Sequence, residues 1–136
     1  MADPSKRETG VGFLLCDDMI FTSRIAGTAR ALGLSVKAFR SAAELLTAAK
    51  DETPACVIVD LSNPGLSIAD LVQGLRQCGP PAPRVVAYGS HVDTATLRKA
   101  REAGCDPVLP RSKFVEELPA VLPEWMRARV DSSPKG

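Results

Sequence analysis

The chain has 136 residues, of which 45% are hydrophobic, and its formal net charge is +1. This length favours one domain with a single core, and so small a net charge gives no reason to expect direct contact with nucleic acid or a membrane surface. Because no apolar run reaches the ~18 residues of a membrane span, and the polar start MADPSKRETG does not resemble a signal peptide, we expect a cytoplasmic protein.

Short apolar runs alternate with helical patterns along the chain, which indicates βα units and a parallel sheet. The runs VGFLLC and ACVIVD are apolar almost throughout, as strands covered on both faces should be. Ser41, Ser67 and Asp93 are the predicted helix N-caps. The predicted elements, in chain order, are a strand over 11–16, a helix from about 21 to 33, an edge strand over 34–39, a helix over 42–50, a strand over 55–60, a helix that starts at 68 and stops before 79, a strand over 84–88, a helix over 94–103 and a strand over 107–109.

The last part of the chain is interrupted by two prolines. Apolar residues recur at helical spacing from Phe114 to Trp125, and Trp125 is expected to cover the core. Pro119 and Pro123, however, lack the backbone N–H that a continuous helix uses. We therefore expect a short turn at 112–117, followed by a separate helix that starts near Pro119.

Five strands that alternate with helices predict one doubly wound α/β domain over 10–128, with three layers. The polar ends, a disordered segment over 1–9 and a flexible tail over 129–136, are expected to lie outside it. Because the two most apolar strands should be central, the predicted strand order is 2-1-3-4-5. Ligands of such sheets bind outside the carboxyl ends of the strands, here between the first and the third.

Acidic residues cluster at this predicted edge of the sheet. Asp17 and Asp18 follow the first strand, and Asp60 ends the third. Because three close carboxylates repel one another, a divalent cation, a basic side chain or a raised pKa must offset the repulsion. Mg²⁺ suits the site since it takes one or two carboxylates and keeps several waters, and Arg111 is the candidate counter-charge within the chain. Alternatively, the acids only cap helices or face solvent.

Other classes of site fit the sequence less well. A flavodoxin would have a loop rich in Ser, Thr and Gly after the first strand, where this chain has CDDMIFTS. A haloacid-type phosphatase would separate its two aspartates by one residue, and no GxxxxGK[ST] loop is present. A zinc site is not expected, because His91 is the only histidine and the four cysteines show no CxxC spacing.

At these residues the chain resembles the CheY-like receiver domains of response regulators in two-component systems, which share the flavodoxin-like fold. LLCDD matches the family's magnesium-binding acid pair, VIVDLSNPG matches the stretch around its phosphoacceptor, and AGCDPVLPRSKF matches the segment that leads to its basic residue. The resemblance covers about residues 10–127. It implies that Asp60 accepts a phosphoryl group while Asp17, Asp18 and Asp60 hold Mg²⁺.

Several residues depart from the family pattern. The hydroxyl residue that ends the fourth strand is replaced by Gly89, with Ser90 one residue later. The basic residue after the fifth strand is Arg111 instead of lysine, and Val108 stands where the family has an aromatic switch residue. The residues that would accept the phosphoryl group therefore match the family. The residues that would contact the phosphoryl group and change conformation in response, which we call the reporting residues, are altered. The candidates for this role are Ser90, Gly89 and Arg111.

The resemblance implies a stand-alone receiver in a phosphorelay, phosphorylated by a histidine kinase or phosphotransfer protein and acting on an unknown output protein. It is expected not to be an enzyme, with no catalytic residue beyond Asp60. The alternative is a pseudo-receiver that binds proteins without being phosphorylated. Ser90 and Arg111 would contact the phosphoryl group. Because Gly89 has no hydroxyl, we expect a muted conformational response to phosphorylation, and the sequence therefore leaves both functions open.

Overall fold

The computed structural model describes residues 10–127, in which five strands alternate with five helices. The segment 1–9, residue 128 and the tail 129–136 lie outside the described residues. The elements are β1 (Gly12–Leu15), α1 (Met19–Ala31), β2 (Val36–Phe39), α2 (Ala42–Asp51), β3 (Cys56–Asp60), α3 (Ile68–Arg76), β4 (Arg84–Gly89), α4 (Thr94–Ala103), β5 (Val108–Pro110) and α5 (Arg111–Trp125). Among residues 10–127, no helix has the length and apolar character that a membrane crossing requires.

The strands form one parallel sheet in the order β2-β1-β3-β4-β5, which confirms the predicted topology. β1 and β3 are buried along their whole length, whereas β2 at the edge is partly exposed. Two pairs fix the register on either side of β3: Gly12 pairs with Cys56, and Asp60 pairs with Tyr88. The carboxyl ends of β1, β3 and β4 consequently meet at one edge.

Helices cover both faces of the sheet and bury two apolar clusters. We call the cluster under α2, α3 and α4 the first core, and the cluster under α1 and α5 the second core. Larger members of the first core include Phe13, Leu45, Leu71, Leu75 and Leu97. Larger members of the second core include Ile25, Tyr88, Phe114, Leu122 and Trp125. Alternate residues of each strand therefore enter different cores.

The three predicted N-caps are confirmed. Ser41 and Ser67 each accept a hydrogen bond from the backbone N–H three residues later. Asp93 accepts from Thr96 N and from the Thr96 hydroxyl, at 3.2 and 2.7 Å. These bonds satisfy backbone donors that the first helical turn otherwise leaves without partners.

The prediction of a split final helix is wrong, because α5 runs without a break from Arg111 to Trp125. Pro119 and Pro123 lie on its exposed side, where the carbonyls that they leave without an N–H partner can bond water. The opposite side of the helix buries four apolar residues, Phe114, Leu118, Leu122 and Trp125. Each buried side chain contributes roughly 1.5–3 kcal/mol, which offsets a cost of about 3 kcal/mol for each proline.

Candidate functional site

A cavity of about 200 Å³ opens at the carboxyl edge of the sheet, between β1 and β3. Its lining residues are Asp17, Asp18, Asp60, Ser62, Asn63, Pro64 and Arg111. We call it the acidic cavity. The structure therefore brings the three predicted carboxylates and Arg111 together around one space, at the point where the strand order changes direction.

Asp60 is the most enclosed of the three acids, with 4% of its surface exposed. Its Oδ1 accepts hydrogen bonds from Ser62 N and the Ser62 hydroxyl at 2.9 and 2.6 Å. The Arg111 guanidinium lies 3.8 Å from the same oxygen. A carboxylate removed from water needs such donors, because an unpaired buried charge is costly.

The second oxygen of Asp60 contacts side chains of the second core. The Tyr88 hydroxyl lies 3.3 Å from Oδ2 and 3.5 Å from the Cys16 sulfur, so its one proton has two possible acceptors. The Cys16 thiol in turn lies 3.5 Å from Oδ2. The 3.3 Å distance between the hydroxyl and carboxylate oxygens is longer than an ordinary O–H···O hydrogen bond. Burial raises the pKa of Tyr88 above its usual range, so the phenol keeps its proton and remains a donor. The two oxygens of Asp60 therefore have different surroundings.

Sequence analysis missed Tyr88 and Ser62 as partners of Asp60. The register supplies the signal for Tyr88, because this residue pairs with Asp60 at the end of the neighbouring strand. Side chains of paired residues lie close together on the same face of a sheet. The predicted strand order makes β3 and β4 neighbours, but only the register shows that Tyr88 lies beside Asp60.

Asp17 and Asp18 each have another partner. Asp18 caps α1, since its Oδ1 accepts from Ile20 N at 3.0 Å and Phe21 N at 3.1 Å. Asp17 accepts from Arg40 Nε at 3.1 Å. Arg40 was not predicted, yet it directly follows β2, whose neighbour in the sheet is β1. The helix-capping alternative therefore describes one role of Asp18.

The acidic cavity offers oxygen donors of the kind that Mg²⁺ prefers. Asn63 Oδ1, in its wall, is buried and has no hydrogen-bond partner within residues 10–127. In the same range, no group of three or more His, Cys, Asp or Glu side chains is arranged to hold a metal ion. Because Mg²⁺ needs only one or two carboxylates and keeps waters, the donor set fits the ion. Asp17, Asp18 and Asp60 remain predicted ligands.

The sequence is similar to several response regulators. It is 33% identical over 95 residues to the transcriptional activator ExaE of Pseudomonas putida, a match that covers 70% of this chain and 42% of that protein. It is 28% identical over 106 residues to the response regulator TodT of P. putida, which covers 78% and 46%. The chain thus spans about half the length of these curated relatives. No family model matches it.

Solved structures with the same fold include receiver domains. The activated DrrB receiver domain has a TM-score of 0.71 and 20% identity, over 86% of this chain and 97% of that one. The chain has the fold of a response regulator receiver domain. The receiver domain of NarL from Mycobacterium tuberculosis has a TM-score of 0.72 and 19% identity, and the match covers 90% of this chain and 99% of that one.

Of the candidate reporting residues, Arg111 lines the acidic cavity and Ser90 does not. Arg111 lines the acidic cavity and also a neighbouring cavity of about 520 Å³. Ser90 and His91 line only the neighbouring cavity. The Ser90 hydroxyl accepts from Val92 N at 3.3 Å. A direct contact between Ser90 and a phosphoryl group therefore remains a prediction, as does the role of Gly89 at the end of β4.

Proposed function

We propose that this receiver domain accepts a phosphoryl group on Asp60 in a phosphorelay, with Asp17 and Asp18 holding Mg²⁺ beside it. The observation that carries the proposal is the surroundings of Asp60. A carboxylate that is 4% exposed lies at the carboxyl end of β3, in a cavity lined by two more acids and a guanidinium. Asp17 and Asp18 are exposed, so the cost of removing a charged group from water falls on Asp60 alone. A buried carboxylate that faces a cavity with two further acids needs a cation to offset the repulsion, as the proposed Mg²⁺ would do.

The chemistry is a displacement at phosphorus, which depends mainly on positioning and electrostatics. With acetyl phosphate as donor, an oxygen of Asp60 forms a new bond to phosphorus. The bond from phosphorus to the acetate oxygen breaks, and acetate leaves with that electron pair. The step requires no net proton transfer and no redox partner. We propose no catalytic residue beyond Asp60 and no further enzymatic activity.

The surrounding groups stabilise the added charge. Bound Mg²⁺ would offset the repulsion between the carboxylates and the phosphoryl oxygens. Arg111 lies 3.8 Å from Asp60 Oδ1 and can approach phosphoryl oxygens with two donors. The Ser62 N–H and hydroxyl orient the carboxylate through Oδ1. Each of these residues is on a segment fixed by the sheet edge or by the start of α5.

The phosphodonor is proposed to be a histidine kinase or a phosphotransfer protein. Met19 and Ile20, at the start of α1, are 64% and 84% exposed and directly follow Asp18. An exposed apolar pair beside the acidic cavity is suited to contact with a protein partner. Output through a separate partner protein, without direct contact between this domain and nucleic acid, belongs to the same proposal.

Intact-mass spectrometry with acetyl phosphate and Mg²⁺ tests phosphorylation. The wild-type chain should gain the mass of one phosphoryl group, and Asp60→Asn should gain none. Asp51→Asn is the matched control, because Asp51 ends α2 away from the acidic cavity and its loss should leave the gain unchanged. A wild-type chain that gains no mass with acetyl phosphate or with a phosphorylated histidine donor would contradict the proposal.

The second candidate function is a pseudo-receiver that binds a partner without phosphorylation. Two observations favour it: within residues 10–127 no set of three acidic side chains is prearranged for a metal, and Asp17 and Asp18 have partners of their own. Partner binding that is unaffected by Asp60→Asn, together with no mass gain, would support this candidate.

A further inference from the structure

We propose that Tyr88 couples the state of Asp60 to helix α5 through Phe114 and Trp125. The inference rests on the proposed phosphorylation of Asp60 and concerns how that event is reported. In receiver domains the resemblance assigns reporting to a hydroxyl at the end of the fourth strand and to an aromatic residue of the fifth. Here those positions hold Gly89 and Val108, so neither of those two groups is available to report phosphorylation.

Three aromatic rings in contact lead from Asp60 to the end of α5. They belong to Tyr88, Phe114 and Trp125. The Tyr88 hydroxyl lies 3.3 Å from Asp60 Oδ2. The Tyr88 ring stacks on Phe114, with centroids 4.5 Å apart and an interplanar angle of 27°. Phe114 stacks in turn on Trp125, at 6.0 Å and 18°. Tyr88 and Phe114 are fully buried and Trp125 is 6% exposed.

Close packing makes these contacts suitable for transmitting a displacement. Buried rings interdigitate with few voids, so a shift of one ring must displace its neighbours. Phe114 lies in the first turn of α5 and Trp125 ends the helix, so the two contacts span its whole length. Phe21 of α1 also contacts Tyr88, with centroids 5.1 Å apart. A change at Tyr88 therefore reaches both helices on this side of the sheet.

Phosphorylation changes the interaction between Asp60 and Tyr88 directly. In the resting state the phenol lies 3.3 Å from a carboxylate oxygen, a long contact with an acceptor that carries charge, and 3.5 Å from the Cys16 sulfur. In an acyl phosphate the carboxyl oxygens become a carbonyl and an ester oxygen. Bonds to such neutral acceptors are roughly half as strong as bonds to ionised ones. The two states of Asp60 thus interact differently with Tyr88, which is the requirement for shifting a conformational equilibrium.

The test uses the spectroscopic signature of Trp125, the only tryptophan of the chain. Its fluorescence and its indole N–H resonance are recorded with Mg²⁺, before and after addition of acetyl phosphate, and separately with beryllium fluoride. Wild type should show a change in both signals. Tyr88→Phe keeps the ring and removes the hydroxyl, so it should still gain the phosphoryl mass but lose the Trp125 response.

The matched control for removing one hydroxyl is Thr47→Val, on the exposed side of α2, and its Trp125 response should equal that of wild type. If Tyr88→Phe does not fold, Phe114→Leu interrupts the same chain of rings and should also lose the response. A phosphorylated wild type with an unchanged Trp125, or a full response in a folded Tyr88→Phe variant, would overturn the coupling while leaving phosphorylation intact.

A second comparison separates the coupling from the proposed function. Without any phosphodonor, Asp60→Asn replaces the ionised acceptor with a neutral amide. It should shift the Trp125 indole resonance when Tyr88 is present and produce no such shift in the Tyr88→Phe background. Equal shifts in both backgrounds would overturn the coupling even if the wild-type chain is never phosphorylated.

Discussion

The ion pair between Arg111 and Asp60 should be coupled more strongly than the shorter pair between Arg40 and Asp17. The Arg111 pair is 3.8 Å long, with side chains that are 47% and 5% exposed. The Arg40 pair is 3.1 Å long, but its side chains are 68% and 46% exposed. Because water screens exposed charges, burial and not distance should decide the order.

The expected magnitude follows from Coulomb's law. Two unit charges 3.8 Å apart interact by roughly 1 kcal/mol in water and roughly 4 kcal/mol at an effective dielectric constant of about 20. Because nearly half of the Arg111 side chain is exposed, we expect a coupling energy of about 1–2 kcal/mol. The exposed Arg40 pair should contribute about 0–1 kcal/mol.

A double-mutant cycle measures this coupling. Urea denaturation of wild type, Asp60→Asn, Arg111→Gln and the double variant gives the free energies of unfolding, and Asp17→Asn with Arg40→Gln is the matched cycle. The measurements are repeated at high salt, which should reduce the exposed pair more. A coupling for Arg111 that is no larger than that for Arg40 would refute the role of Arg111 as counter-charge of the site.

Three further predictions concern stability and reactivity. Pro119→Ala should raise the free energy of unfolding by about 2 kcal/mol. The change removes a helix penalty of about 3 kcal/mol, but it also stabilises the unfolded chain by about 0.4–1 kcal/mol, because that chain gains conformational entropy. Urea denaturation measures the difference, and an unchanged free energy of unfolding would contradict the prediction. Burial raises the pKa of Cys105 to about 11, so a thiol reagent at neutral pH should modify the partly exposed Cys78 well before Cys105, as peptide mapping can show. Hydrogen bonds from Thr96 hold the pKa of Asp93 below its usual range. The difference in free energy of unfolding between wild type and Asp93→Ala should therefore have its full size above the usual pKa of an aspartate, and it should disappear as the pH falls through the lowered pKa of Asp93. A difference that persists in acid would exclude the cap as its source.

Most helix boundaries could be predicted because their signals are local, and the strand order could be predicted because the two most apolar strands lie at the centre of the sheet. A cap such as Ser67, the stop at Gly104 and the apolar run before Asp60 each lie within one segment of sequence. The continuity of α5 could not be predicted in this way. It depends on how much apolar surface the sheet buries around Phe114 and Trp125, which the prolines alone do not indicate.

The same distinction applies to the site. The acidic residues are marked by their positions at strand ends, so their convergence follows from the topology. Arg40 and Tyr88 reach the site from other strands, β2 and β4. Finding them requires relating separate segments of the chain, through the neighbouring strands β1 and β2 for Arg40 and through the register of β3 and β4 for Tyr88. Local patterns identified the groups that carry charge but not the partners that hold them.

The family has its hydroxyl residue at the position of Gly89, whereas this chain has the hydroxyl of Tyr88 one position earlier in β4. This difference changes which helices can respond to the state of Asp60. A Cβ added at Gly89 would lie 3.4 Å from Leu61 and 3.5 Å from Leu97, in ordinary contact with the side of the sheet under α3 and α4. Sterics therefore do not exclude a side chain there. Because successive residues of a strand point to opposite faces, Tyr88 lies instead in the second core, with its ring against Phe114 of α5 and its hydroxyl beside Asp60. A receiver with its hydroxyl at residue 88 rather than 89 should thus direct its response toward α1 and α5 and leave the face of α3 and α4 largely unchanged.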